Sequence, residues 1–479
     1  MPNDGGLDAV LGSPVEAGPT ARTTDSGDGV GAEAGADVPG TDSGYFVDAA
    51  SVGGGTVILP RSGTPIARFA YGQNYWDWAD WSRNGVTGLT GTEGLVGALR
   101  LDVLRAGGIN NDANSPPFDG AQIDRYVAYC RAVGAEPILQ VPILANPVDG
   151  GATSARTAAD MVTYANVTKG YAIQYWEIGN EPDNYDLAFD AGVPLTAPEY
   201  CATFAAYASA MRAANAAAAG APPLRFVGPD LAWKYVAGHD WLTPFLDGCK
   251  NDVDVVSIHR YPFSGAQLTT GAALSDDAKF RTDIAAVRAI VQVHARAGTP
   301  LAVTESNVSY DYAPAKYADA AVAAEPGTFN AALWTADALG VALENGLWSL
   351  ALWNLGERAG GSVLGFMVNA QPIPQYYALQ LFTTNLRGDV VVPTGVPVGF
   401  SVYASHDSTL AVTAAVVVNK TPSARTLTLV PEGGRPQSFD FPPASISVVR
   451  LPDAAAAPTH VTRYTRAMAA AGLAPTQVQ

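Results

Sequence analysis

The chain has 479 residues, of which 48% are hydrophobic and 15% charged, ample apolar material for a large core, so global disorder is excluded. Acids outnumber bases by 45 to 28, for a formal net charge of −17. That balance excludes a nucleic-acid partner, because phosphate contacts need clustered Lys and Arg.

Residues 1–50 hold nine acids and one base, Arg22, and so carry eight of the net negative charges. Gly, Ala, Ser, Thr and Pro dominate there, and such a stretch cannot bury enough surface to offset its ordering entropy. Residues 1–44 therefore read as a disordered acidic linker. No signal peptide is visible, but a stalk of this kind before a folded domain points to an extracellular, cell-surface or periplasmic location. No apolar run reaches the 18–20 or so residues needed to span a bilayer. Residues 45–64 contain two short strand-like pieces, Tyr45–Asp48 and Thr56–Leu59, around a Gly53-Gly54-Gly55 turn, expected to join a sheet formed later in the chain.

From residue 65 a rhythm begins in which short apolar runs alternate with helical patterns. The runs are Ile66–Tyr71, Leu101–Arg105, Glu136–Val141, Ile173–Ile178, Leu224–Val227, Val253–Ile258, Leu301–Thr304 and Leu347–Trp353. Helical spacing is clearest over Ala121–Val133, Pro198–Ala219, Lys279–Ala297 and Thr328–Asn345. Eight such units predict an α/β chain with a (β/α)8 TIM barrel over residues 65–385. A doubly wound open sheet is the alternative, but no Gly-rich phosphate turn follows any strand. Residues 386–453 read as a small C-terminal β-sandwich, with strands near 401–404, 409–419, 425–430, 438–441 and 444–450. Residues 454–479 read as an Ala-rich tail with a short helix over Thr462–Ala471. Cys130 and Cys201 read as small core residues, with a Cys201–Cys249 bridge as the alternative.

In such a barrel the chemistry lies at the C-terminal ends of the strands. Two glutamates stand there directly after buried runs, Glu181 after the fourth and Glu305 after the seventh, where a carboxylate is costly unless paired or functional. Two opposed carboxyl groups are the minimum equipment for glycosidic bond cleavage, one protonated to donate and one ionised to attack. Five scattered histidines without HxH or HExxH spacing argue against a catalytic metal, and no cofactor motif is present. Asn166, Asn307 and Asn419 begin formal glycosylation sequons.

Four segments carry a family resemblance: Trp176–Pro182 (WEIGNEP), Ser257–Pro262 (SIHRYP), Val303–Asn307 (VTESN) and Leu350–Asn354 (LALWN). In order, they resemble the acid/base motif, the sixth-strand His-x-Tyr, the nucleophile strand and the eighth-strand Trp of clan A glycoside hydrolases. The two-domain layout is similar to that of families 39, 44, 51 and 79. The resemblance implies Glu181 as general acid/base and Glu305 as nucleophile of a retaining reaction. It implies Asn180 as holder of the sugar 2-hydroxyl, Tyr261 as partner of the nucleophile, and Arg105 as the cation that keeps the nucleophile ionised. It also implies His259 beside Tyr261, Trp353 as the platform under the sugar, and a β-linked polysaccharide or oligosaccharide of cell-wall type as substrate. Position alone nominates Asn110, Asn111 and Asp112 after strand two, and Trp233 and Tyr235 after strand five. It also nominates the cluster Tyr71, Asn74, Tyr75, Trp76, Trp78 and Trp81 after strand one. The competing readings are a non-catalytic glycan-binding surface protein on the same barrel and a transglycosidase.

Overall fold

A computed structural model describes residues 55–76, 89, 91–113, 117–144, 154–185, 195–235, 239–312, 316–317, 324–357, 363–454 and 457–479. The acidic linker, Tyr45–Asp48, Trp78 and Trp81 lie outside the described residues, as does the side chain of Asn110.

Eight parallel strands close into a barrel in chain order, the eighth pairing with both the seventh and the first. They are Tyr71–Asn74, Val103–Ala106, Glu136–Val141, Tyr175–Ile178, Arg225–Leu231, Val255–Arg260, Leu301–Ser306 and Leu350–Leu352. The first strand starts where its expected run ended. Residues 66–70 instead make a turn, with Ala70 N–H bonded to the Ala67 carbonyl, and Phe69 is left to plug the barrel floor. The fifth strand runs four residues past Val227, through Gly228-Pro229, a pair that reads as a strand breaker. Registers shift at two places on the upper rim, between Pro229 and Leu231 and between Ile258 and His259.

Period-two alternation sorts the strand residues. On the fourth strand Tyr175 and Glu177 point inward, while Trp176 and Ile178 pack outward under the helices. The floor is apolar: Phe69, Tyr175 and Trp348 form an aromatic triangle with ring centroids 5.1–5.3 Å apart. The upper interior is polar, which places the chemistry at the C-terminal mouth.

Local sequence explains where the helices start. Gly120–Val133 opens with a capping box between Asp119 and Gln122 and stops at Gly134, which is left-handed. Thr269 and Thr328 cap Thr270–His294 and Phe329–Glu344 with their hydroxyls. The last of these is buried nearly all round, because one face meets the barrel and the other the β domain. Cys201 and Cys249, in helices Ala197–Asn215 and Leu242–Cys249, form a disulfide. Cys201 is therefore a bridge partner, while Cys130 is a buried free thiol.

The β domain has two sheets. Seven strands run in the order Thr64–Pro65, Asp389–Val391, Phe400–Asp407, Val412–Asn419, Ser445–Pro452, His460–Thr465 and Thr476–Gln477. The other sheet has Gly55–Leu59, Arg425–Pro431 and Gln437–Phe441, the first two parallel. Val57, Leu429, Phe441, Val417 and Val449 fill the space between the sheets. Tyr403, Val416 and Val448, on the alternate face, pack toward the barrel helices. The expected tail helix over Thr462–Ala471 is shorter. His460–Thr465 alternates and pairs with Ser445–Arg450, and only Arg466–Ala470 is helical. All three sequon asparagines are buried.

Candidate active site

Arg105, fully buried at the top of the second strand, is the hub. Its Nε donates to Glu177 Oε2 at 2.6 Å, Nη1 to Glu305 Oε1 at 2.6 Å and to Asn74 Oδ1 at 3.0 Å, and Nη2 to Asn180 Oδ1 at 2.8 Å. One planar fork thus ties strands one, two, four and seven together, a geometry a lysine could not supply.

Glu305 takes its second donor from the Tyr261 hydroxyl, 2.8 Å from Oε2. The register shift between strands six and seven sets Glu305 beside His259, although Ile258 pairs with Val303. An extra residue, Thr304, thereby turns inward, and its hydroxyl donates to Asp230 Oδ1 at 2.5 Å.

Glu181 has different surroundings. Its backbone is left-handed, at φ 50°, and its N–H donates to the Asp230 carbonyl at 3.1 Å. Its Oε1 lies 2.8 Å from His259 Nδ1. Burial raises the Glu181 pKa to about 8, helped by the nearby Asp183 charge and opposed by Arg105. Burial likewise holds His259 below its ordinary value, so the imidazole is neutral. A Glu181 oxygen, His259 Nδ1 and a Glu305 oxygen all lie within 4.8 Å of one another. Such a trio could hold a divalent cation, but Arg105 already supplies a fixed positive charge to Glu305.

Behind the two glutamates, Asp112 accepts from the backbone N–H groups of Ile143 and Asn180, at 2.7 and 2.9 Å, and from the Tyr185 hydroxyl. It pins the loops after strands three and four, and burial raises its pKa to about 6. Asp183 accepts from the N–H groups of Ala232, Trp233 and Lys234 and so joins the loops after strands four and five. Trp353 directly follows the eighth strand, with its ring 5.7 Å from that of Trp76. Gly108, at φ 114°, lies so close that a Cβ there would sit 2.7 Å from the Trp353 ring.

The fold therefore brings Arg105, Asn180, Glu181, His259, Tyr261 and Glu305 into one cluster, with the Trp353 and Trp76 rings in tilted contact at the rim. Several residues nominated by position have other roles. Tyr71 faces outward and donates to the Leu386 carbonyl, and Tyr75 is core, packed on Tyr126 and Tyr129. Tyr235 is buried and its hydroxyl donates to the His259 carbonyl at 2.6 Å. Trp233 meets His239 edge to face. Sequence reasoning gave no role to Glu177 or Asp230. Glu177 had a signal, standing one pleat period below the strand end; Asp230 had none, because its strand appeared to stop at Val227.

An eight-stranded parallel barrel closed in chain order, joined to a two-sheet β domain, is a (β/α)8 fold that solved glycoside hydrolases share. No protein-family model and no curated protein sequence matches the chain. Among solved structures it is similar to CelM2, a bifunctional glucanase-xylanase from a metagenome library, at 14% identity and a TM-score of 0.64, over 84% of this chain and 100% of that one. It is similar to an α-L-arabinofuranosidase from Thermotoga maritima at 15% identity and a TM-score of 0.61, covering 86% and 98%. It is also similar to a family 44 xyloglucanase from Paenibacillus polymyxa at 14% identity and a TM-score of 0.60, covering 81% and 97%. At these identities the likeness is one of fold. None of the described helices is long and apolar enough to cross a membrane.

Proposed function

We propose that the chain is a retaining glycoside hydrolase acting on a β-linked polysaccharide or oligosaccharide of cell-wall type. Glu305 attacks the anomeric carbon while Glu181 protonates the leaving oxygen. Glu181 then takes a proton from water, which releases the sugar from Glu305. The observation that carries this reading is a close pair of carboxyl groups in unlike environments. Glu305 takes hydrogen bonds from the Arg105 guanidinium and the Tyr261 hydroxyl, whereas Glu181 faces the His259 imidazole and burial raises its pKa to about 8. An oxygen of each carboxyl group lies within 4.8 Å of the other, close enough for one to attack while the other protonates the same bond.

The remaining residues fit subsidiary roles. Arg105 occupies Asn180 Oδ1, which leaves the Asn180 amide N–H2 to donate to a sugar 2-hydroxyl. Trp353 offers an aromatic face to the sugar, and Trp76 extends it. The neighbours' names, glucanase-xylanase, α-L-arabinofuranosidase and xyloglucanase, agree in reaction class and differ in sugar. The Cys201–Cys249 disulfide supports export to an oxidising compartment.

The test is an activity screen on aryl glycosides and cell-wall polysaccharides with two variants. Glu305→Gln is expected to abolish turnover. Glu181→Gln should lose polysaccharide hydrolysis yet still release an activated aryl leaving group in the first step, since that group needs no proton. Full turnover by Glu305→Gln on the true substrate overturns the assignment.

A further inference from the structure

Besides Glu177 Oε1, two atoms of this site, His259 Nε2 and Asp230 Oδ2, are buried and without a hydrogen-bond partner. They belong to neighbouring strands, and His259 Nε2 lies 3.9 Å from the other oxygen of the same carboxyl group, Asp230 Oδ1. The opposite ring nitrogen, Nδ1, is the one 2.8 Å from Glu181. Asp230, His259 and Glu181 thus form a line from the fifth strand through the sixth to the fourth. Both ends of that line are built from irregular backbone. Asp230 stands at the register shift of the fifth strand with φ 54°, and its Oδ1 accepts from Thr304, the inserted residue on the seventh. Its carbonyl also takes the Glu181 N–H, so one residue fixes the acid's backbone and faces its imidazole.

We propose that Asp230 is a positioning residue for the acid/base: its carboxylate selects the His259 tautomer with hydrogen on Nε2, so that Nδ1 can only accept and Glu181 must present its hydroxyl. A neutral imidazole carries one hydrogen, and its location is set by what each nitrogen faces. Charged groups face the ring from several elements. Glu305, 3.7 Å from Nδ1, would favour the other tautomer, but Arg105 and the Tyr261 hydroxyl already satisfy it. Glu177 is taken up by Arg105, and Asp183 by three backbone N–H groups. The Asp230 carboxyl takes its hydrogen bond from the neutral Thr304 hydroxyl, and its Oδ2 has no donor, so it is the acidic group beside Nε2 that no cation holds by a hydrogen bond.

The consequence for chemistry rests on the hydrolase reading above. In the first step the Glu181 proton passes to the leaving oxygen. The resulting carboxylate then faces the Nδ1 lone pair, which favours taking a proton back from water in the second step. With Asp230 uncharged the ring can reverse, so that Nδ1–H donates to Glu181 and stabilises its ionised form.

The tautomer can be read without substrate, from 15N spectra of the full chain labelled at histidine, with His259 identified by its loss in His259→Gln. We expect the neutral Nε2–H form in the wild type and a shift toward Nδ1–H in Asp230→Asn. In kinetics, the alkaline limb of kcat/KM should move down by about one pH unit in Asp230→Asn, a change that a merely structural role would not produce. An Nδ1–H imidazole in the wild type overturns the proposal, as does an unmoved alkaline limb in a folded Asp230→Asn. If that variant fails to fold, the wild-type spectrum alone decides. A chain without hydrolase activity would defeat the functional reading while the spectrum still judges the tautomer.

Discussion

Arg105 holds Glu177, Glu305, Asn74 and Asn180 from one side chain, and this sharing makes two nearly adjacent glutamates behave differently. Glu305 lies on the guanidinium, whereas Glu181 makes no hydrogen bond to it and faces the His259 imidazole, with Asn184 as a further hydrogen-bond partner. The sign of the pH dependence follows. In the proposed reaction Glu181 donates a proton, so activity falls as pH rises through its pKa, and the alkaline limb of kcat/KM is expected near pH 8. Measured on an activated aryl glycoside, that limb should vanish in Glu181→Gln. The sequence identified both glutamates because each ends an apolar run, where a carboxylate demands a reason. It gave no role to Glu177, four residues before Glu181, although the pleat turns that side chain into the barrel as well. Asp230 was invisible for a related reason: Gly228-Pro229 reads as the end of a strand that in fact continues to Leu231.

Among the elements, strands were easier to read than their exact limits. Run three coincides with the strand Glu136–Val141, and run seven starts with its strand at Leu301 and stops two residues short of its end at Ser306. The first strand was misplaced toward Ile66, where the apolar side chains serve the floor rather than a ladder. The helices Ala197–Asn215 and Leu242–Cys249 flank the strand that carries Asp230, and the Cys201–Cys249 bridge joins them across 48 residues. In the chain-entropy view, closing a loop of that length stabilises by about 4 kcal/mol. Replacing both cysteines by serine should therefore lower the denaturant midpoint, with little change in kcat, since neither sulfur reaches the mouth. Unchanged unfolding would show that the bridge does not constrain the chain.

At the scale of the whole molecule, barrel and β domain are one assembly rather than two beads. Asp337, on the buried helix Phe329–Glu344, accepts from the Tyr403 hydroxyl at 3.0 Å and pairs with Lys420 at 2.8 Å. Lys420 also reaches Asp277 at 3.3 Å. The Tyr403 ring lies directly over Gly340, where an added Cβ would come within 2.2 Å of ring atoms. Gly340→Ala is expected to destabilise by about 1–3 kcal/mol through overpacking, seen as a lower unfolding midpoint. Activity at low temperature should persist, because the joint is on the outside of the barrel. A variant as stable as the wild type would mean that the ring moves aside freely.

The sequence by itself determined the repeating strand–helix pattern, the catalytic pair Glu181 and Glu305 as candidates, and a β-rich C-terminal region. These are local properties: periodicity, turn chemistry, and a charged residue next to an apolar run. Tertiary structure alone decided which strands share a sheet, since Gly55–Leu59 pairs with Arg425–Pro431 some 370 positions away, a choice made by complementary faces rather than neighbours. It alone decided that His460–Thr465 extends a sheet instead of a helix, because an open strand edge was waiting for it. And it alone gave Glu181 and Glu305 unlike surroundings, because an environment is set by residues from six strands, and no stretch of sequence contains it.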